Sequence, residues 1–431
     1  MLRRTVIIDD DPTGCQTVHD IPLYFRWDRE TLSAALEKDD AFFILTNTRA
    51  LDSASARAVS EEVAANLAAV SAGIYELVIL SRSDSTLRGH LLEEVLPLAG
   101  HFGSYDALVL VPAFFEGDRY TVDNMHYVRT AEGMLPASKT EFASDPVFGY
   151  STSLLPEWVE EVSGGYFNAS EAVSISHAAI MEGRAKVESL LSSAAGFVPV
   201  IVNALNYSEL EIVYEAIASL MAAGRRYLFR TAASMVRVCL SQSRAHLYMP
   251  ATRSAAGLVV AGSYTGKTSA QLDALLHSHP GIESIMIDVE KIFGTEMQEY
   301  SSIIAAMVDA ALANGRNTVL YTSREYLSDT GLGDAVSRGR TISGFIVSVC
   351  RQITVRPDFI IGKGGITSLT MARDGFGAVS AIVKGQIADG VPVWVLPEES
   401  RFPGIDFVVF PGNVGNEGTL TETFNRFVNV L

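Results

Sequence analysis

The strongest constraint on this chain is a rhythm. Short unbroken runs of Val, Ile, Leu and Phe alternate with longer segments patterned as amphipathic helices. The apolar runs include Thr5–Asp9, Phe42–Thr46, Leu77–Leu80, Ala107–Val111 and Val198–Val202. Helical periodicity covers Ser53–Val70, Leu87–Leu98 and Ser208–Ala223 between them. A strand without polar alternation is covered on both faces, so these runs belong to parallel sheets flanked by helices, in a layered α/β fold. At 431 residues the chain exceeds what one hydrophobic core organises, and two domains are expected. The rhythm lapses at Met249–Gly257, a linker by its Pro, Ser and Gly, and then restarts. Further strands are expected at Leu258–Ala261, Ser284–Asp288, Thr318–Tyr321, Phe359–Ile361, Val393–Leu396 and Phe407–Phe410. Helices are expected at Thr268–His277, Met297–Ala313, Gly333–Arg351 and Gly418–Val430. The domains are therefore placed at residues 1–248 and 257–431, both with mostly parallel sheets. Phe115–Ser153, rich in Gly, Pro, Asp and Tyr, breaks the first rhythm and reads as a hairpin plus an irregular excursion.

A net charge of −17 argues against a nucleic-acid footprint, which needs basic patches. An acidic protein that handles anionic ligands must gather its cations locally. Cys15, Cys239 and Cys350 are far apart and form no C-x-x-C pair, which disfavours a disulfide framework or a zinc site. No secretory leader is legible at the start and no apolar run has membrane-spanning length, so the cytoplasm is the expected compartment.

Two charged clusters and three glycine-rich turns at strand ends attract chemistry. Asp9-Asp10-Asp11-Pro12-Thr13-Gly14 closes the first strand. Adjacent acids there need a cation, a metal or a proton, although Asp-Pro-Thr-Gly is also good turn chemistry. Ser81-Arg82-Ser83-Asp84-Ser85-Thr86-Leu87-Arg88-Gly89 follows another strand and precedes a helix. It reads as an anion site, or more plainly as a helix cap with solvated arginines. Arg49, after the strand Phe42–Thr46, adds a cation; Arg119, in the excursion, is a weaker candidate for the same anion site and reads more readily as a surface residue. The second domain holds glycine-rich strand-to-helix turns at Ala261–Thr268, Lys363–Ser368 and Pro411–Gly415. The first approaches a P-loop but has Ala261 where glycine is usual, and only Asp288 could serve as the metal-holding partner. Together such turns can line one nucleotide pocket.

These motifs, in this order, resemble the four-carbon acid sugar kinase family. The resemblance rests on Asp10–Gly14, Asp84–Gly89, Pro112-Ala113-Phe114, Gly262-Ser263, Gly364–Ser368 and Pro411–Gly415. It implies a sugar-acid-binding N-terminal domain, an ATP-binding C-terminal domain and an active-site cleft between them. Asp10, Asp11, Arg49, Arg82, Asp84, Ser85 and Arg88 would face the sugar acid. Ser263, Gly364, Gly365, Ile366, Thr367, Ser368 and Gly412 would hold ATP. The family pattern has Leu at Pro12, an acidic residue at Ile366 and Gly-Ser-Ala-Gly where Arg230–Ser234 stand.

The expected reaction moves a phosphoryl group from ATP, with Mg2+, onto a terminal hydroxyl of a threonate, erythronate or oxo-tetronate. Asp84 or Asp10 would orient or deprotonate that hydroxyl, and residue pattern alone does not choose between them. No protein metal ligand is named, and a homo-oligomer is allowed. Two other readings stand beside this one. Asp9-x-Asp11-x-Thr13 matches the nucleophile motif of a haloacid-dehalogenase-type phosphatase. A non-catalytic sugar-acid sensor would bind the acid without consuming ATP.

Overall fold

The structure is a computed structural model that describes every residue except 132, 244–246, 252–255, 263–265, 295, 324–331, 413 and 429–431, with 332–337 as backbone alone. The chain forms two compact units, Met1–Ala245 and His246–Leu431.

In the first unit the strands are β1 (Leu2–Asp9), β2 (Ile21–Tyr24), β3 (Ala41–Leu45), β4 (Tyr75–Arg82) and β5 (Ala107–Val111). Next come β6 (Arg119–Val122), β7 (Met125–Thr130) and β8 (Gly133–Pro136), then β9 (Val173–Ile175), β10 (Val198–Val202) and β11 (Tyr227–Thr231). The main sheet runs β2-β3-β1-β4-β11-β5-β10-β9, and its pairings are parallel. The unbroken apolar runs are the cause: Val6, Ile8, Phe42, Ile44, Ile79, Leu108 and Ile201 are buried in one core. The strand order reverses at β1, which has β3 on one side and β4 on the other, and ligand crevices of open α/β sheets lie at such a point. The excursion is more regular than expected, a three-stranded antiparallel sheet β6-β7-β8 followed by short 3-10 turns.

The second unit contains β12 (Leu258–Ala261), β13 (Glu283–Ile287), β14 (Thr318–Thr322), β15 (Phe359–Lys363), β16 (Ser380–Ala388), β17 (Val391–Val395) and β18 (Asp406–Phe410). Its order is β13-β14-β12-β15-β18-β17-β16. The first five of these are parallel, whereas β16, β17 and β18 pair antiparallel. Sequence reading missed β16, in which Lys384, Gly385 and Gln386 interrupt the apolar run, and its turn at Asp389-Gly390, where Gly390 takes φ +75°.

Two expected helices are corrected. The segment Leu87–Leu98 becomes helical only at Leu91, since Leu87 (φ +68°) and Gly89 (φ +126°) hold left-handed conformations that no helix accepts. The last helix is Thr419–Asn425, followed by a turn. Among the described residues no helix is long and apolar enough to cross a membrane.

Candidate active site

The ends of five parallel strands in the first unit fall in one row. Asp9 pairs with Leu45 and Arg82, Arg82 with Thr231, and Thr231 with Val111. The loops leaving β3, β1 and β4 carry Arg49 and the two charged clusters, and strand register brings them beside residues more than two hundred positions away.

The floor of the cluster is Asp9 with Arg82. The Arg82 Nη1 donates to Asp9 Oδ1 at 3.1 Å and stands 3.7 Å from Asp10 Oδ1, and both aspartates are 1% exposed. Burial pushes the Asp9 carboxyl up to about 7 despite the neighbouring guanidinium. The turn Asp11–Gly14 seals this pair, because a Cβ on Gly14 would overlap both the Asp9 carboxylate and Arg82. Asp9 therefore lacks the exposed, unhindered oxygen that in-line attack on phosphorus requires. The phosphatase reading loses its nucleophile. Arg82 likewise sits under the site, balancing Asp9, rather than facing a ligand.

Above this floor lies a second layer. Arg49 donates to both Asp10 oxygens at 2.5 and 3.1 Å, and its Nη1 stands 3.5 Å from Asp11 Oδ2 and 3.8 Å from Asp84 Oδ1. Asp84 in turn accepts from Arg88 Nε at 2.7 Å and from Thr86 Oγ1. Arg88 also reaches Asp145 at 3.5 Å, a residue of the excursion with no sequence signal. Burial alone would raise the Asp84 carboxyl, but Arg49 and Arg88 outweigh it and hold it well below the usual carboxylate range. Asp84 keeps 13% side-chain exposure against 1% for Asp10, so Asp84 can still meet a ligand while Asp10 has both oxygens engaged.

The loop that carries Asp84 is held from outside. His126 Nε2–H donates to the Ser85 carbonyl at 2.7 Å and Tyr150 donates to the Thr86 carbonyl at 2.8 Å. Burial pushes His126 down to about 4, so it stays neutral and keeps the tautomer this bond needs. These anchors stabilise the left-handed Leu87. Ser85 is buried beneath them, and the helix beginning at Leu91 is preceded by His90 with no side-chain cap, which removes the helix-cap reading of Asp84.

One arginine differs from expectation, and a second carries a buried charge for which residue order set no expectation. Arg119 is not a surface residue: its Nε is buried and its guanidinium lies 5.9 Å from the Phe142 ring. Arg230 is 2% exposed, donates to Ser81 Oγ at 2.8 Å and pairs with Glu94, whose other oxygen accepts from Thr48 at 2.7 Å. Gly89 separates Arg230 from Asp10. A Cβ there would lie 3.2 Å from the Arg230 Nη2 and 3.1 Å from Asp10 Oδ2.

In the second unit the row is Tyr321, Ala261, Lys363 and Phe410. Lys363 is 0% exposed; its Nζ donates to the Pro411 carbonyl at 2.8 Å and the Gly412 carbonyl at 3.2 Å. Burial pushes its ammonium down to about 8. Gln271 donates to the carbonyls of Val414 and Asn416 at 3.2 and 2.8 Å, fixing the same loop from the helix Gly266–Ser278. That loop and helix line a pocket formed by Gly266, Lys267, Ala270 and Gly415–Gly418. Of the expected nucleotide residues, Gly364, Gly365 and Ile366 are accessible and Thr367 is nearly buried. Gly412 is partly accessible and presents its carbonyl to Lys363. Ser368 is a correction: it is fully buried and its hydroxyl donates to Gly362 and Gly364 carbonyls, both at 2.8 Å. Ser263 lies outside the described residues. Lys363 opened one of the glycine-rich turns read from sequence but was given no role there, and Gln271 was not singled out, because a glutamine inside a helix carries no motif.

Residues 5–239 match the family described as "Sugar-binding N-terminal domain", and residues 258–420 the family described as "Nucleotide-binding C-terminal domain". No curated protein sequence matches the chain. Among solved structures, it resembles a Salmonella typhimurium LT2 protein provisionally described as a tRNA synthase. That likeness has 18% identity and a TM-score of 0.74, over 99% of this chain and 100% of that one. A Haemophilus influenzae protein from a family of unknown function is 17% identical, with a TM-score of 0.68 over 98% of this chain and 100% of its own. At these identities the likeness is one of fold alone.

Proposed function

The chain belongs to the family that joins a sugar-binding N-terminal domain to a nucleotide-binding C-terminal domain, the architecture of four-carbon acid sugar kinases, and from that premise we propose that it phosphorylates a terminal hydroxyl of a short sugar acid with ATP. The observation that carries the reading is the Asp84 carboxylate, ionised and partly open, between Arg49 and Arg88 at the strand ends of the sugar-binding unit. Such a group is a poor proton acceptor but a strong hydrogen-bond acceptor, suited to orienting an alcohol. Phosphoryl transfer through a loose transition state needs that orientation more than it needs deprotonation. Asp10 then positions Arg49 rather than acting as the base. The sugar acid belongs with residues 1–248 and the nucleotide with residues 257–431. When bound with ATP, Mg2+ would neutralise phosphate charge, with water and phosphate oxygens among its ligands.

A panel of threonate, erythronate and oxo-tetronate in a coupled ADP-release assay tests the reading. Acid-dependent ADP formation with at least one member is expected. Acid binding without any ADP release would leave the sensor instead.

On the nucleotide side, Lys363→Met should weaken ATP binding about tenfold by calorimetry while the protein melts cooperatively. It removes two charge-assisted bonds that shape the Pro411–Gly412 turn, each worth roughly 1.5–3 kcal/mol, part of which the turn recovers by relaxing. Unchanged ATP affinity would remove Lys363 from the account.

A further inference from the structure

Each of the other guanidinia around the sugar-acid cluster is already answered by a carboxylate. Arg49 has Asp10, Arg82 has Asp9, Arg88 has Asp84 and Arg230 has Glu94. Arg119 is the exception. Among the described residues its side chain has no carboxylate within ion-pair distance, and its Nε is buried with no hydrogen-bond partner. Nor is it a loose surface group. Asp118 takes a left-handed φ of +62°, and the backbone of Arg119 bonds to Phe114 in both directions, at 2.9 and 3.2 Å. Gly117 permits this return, since a Cβ there would overlap the Phe114 ring. Arg119 and Arg88 share the Phe142 ring, at 5.9 and 5.0 Å, so the unanswered guanidinium stands beside the one that holds Asp84.

A partly buried guanidinium without a counter-charge is costly, and the cost is relieved when a ligand supplies the anion. We propose that Arg119 receives the carboxylate of the sugar acid while the far hydroxyl of the same molecule meets Asp84. The inference rests on the sugar-acid kinase reading and refines its specificity. Guanidinium matches carboxylate in a two-bond fork, which selects a planar anion over an alcohol at that end. Burial lowers the basicity of Arg119 and the charge of Asp84 restores part of it, consistent with a site completed by an anion.

The test compares wild type, Arg119→Met and Arg119→Lys with the sugar-acid panel and with erythritol and threitol as uncharged acceptors. Arg119→Met should raise KM for the acid about 10- to 100-fold, the equivalent of one charge-assisted pair, with kcat at saturation and KM for ATP nearly unchanged. Its kcat/KM for the uncharged polyols should stay at the wild-type value, and Arg119→Lys should fall between the two proteins. An acid KM within twofold of wild type would overturn the proposal, as would a loss appearing in KM for ATP. Calorimetric titration of the acids without ATP separates this idea from the parent reading. If wild type binds an acid but makes no ADP, the kinase reading fails, and lost binding in Arg119→Met still upholds the clamp. Equal binding by wild type and variant overturns the clamp alone, and absence of binding by wild type overturns both.

Discussion

Asp84→Asn is expected to fold, to bind ATP as the parent does, and to lose about a hundred- to ten-thousand-fold in kcat. That range is what a positioned acid–base or orienting group typically contributes. The asparagine keeps the shape of the side chain and one oxygen for Arg88, so the loop held by His126 and Tyr150 has no reason to collapse. What it loses is a full negative charge between two guanidinia and the acceptor geometry that charge enforces. An orienting interaction made only on the way to the transition state lowers kcat and kcat/KM together. A residue that only holds Arg88 would instead change KM. Single-turnover and steady-state assays at saturating acid and ATP distinguish the two. A kcat within a few-fold of wild type would reduce Asp84 to a structural partner, and Asp10 would have to be reconsidered despite its burial.

Much of this architecture was legible from residue order. The runs Thr5–Asp9 and Leu77–Leu80 are apolar without alternation, which only a strand covered on both faces tolerates, and the acids and arginines that follow had to lie at the strand ends. The depth of each charge was not legible. Asp9, Asp10 and Asp11 are consecutive, yet a parallel strand turns the first two into buried partners of arginines and leaves the third part-exposed. Arg82 and Arg88 looked equivalent beside Asp84, but one lies inside β4 and the other beyond a left-handed turn. Arg119 and Asp145 come from an antiparallel excursion whose docking against the Asp84 loop depends on His126, Tyr150 and Phe142, contacts between residues tens of positions apart. The role of Lys363 was hidden for a similar reason: its partners are carbonyls on a neighbouring strand's turn, and backbone acceptors leave no trace in sequence.

The largest effect on stability should come from Arg230. It is 2% exposed, so its charge must be balanced inside the fold, and Glu94 does so from the helix Leu91–Phe102. Replacing one member of a buried pair strands the other, at a cost of about 3–5 kcal/mol, whereas replacing both with neutral groups of similar size can be close to neutral. Arg230→Met and Glu94→Gln should therefore each lower the urea midpoint strongly, and the double variant should recover most of the loss. The sign of the pH dependence follows from Glu94. Burial raises its carboxyl above the ordinary value even with Arg230 present, so the folded state holds that proton more tightly than the unfolded chain. Stability from this group is greatest at low pH and declines as pH rises above the unfolded value. Without Arg230 the decline must be steeper, because nothing opposes the burial of the charge. Arg230→Met should thus lie closer to wild type near pH 5 than near pH 8. Additive losses in the double variant, or a deficit that does not change with pH, would mean that the two groups stabilise the fold independently. In that case Arg230 would act through Ser81 and the packing behind Gly89 instead of through its pair.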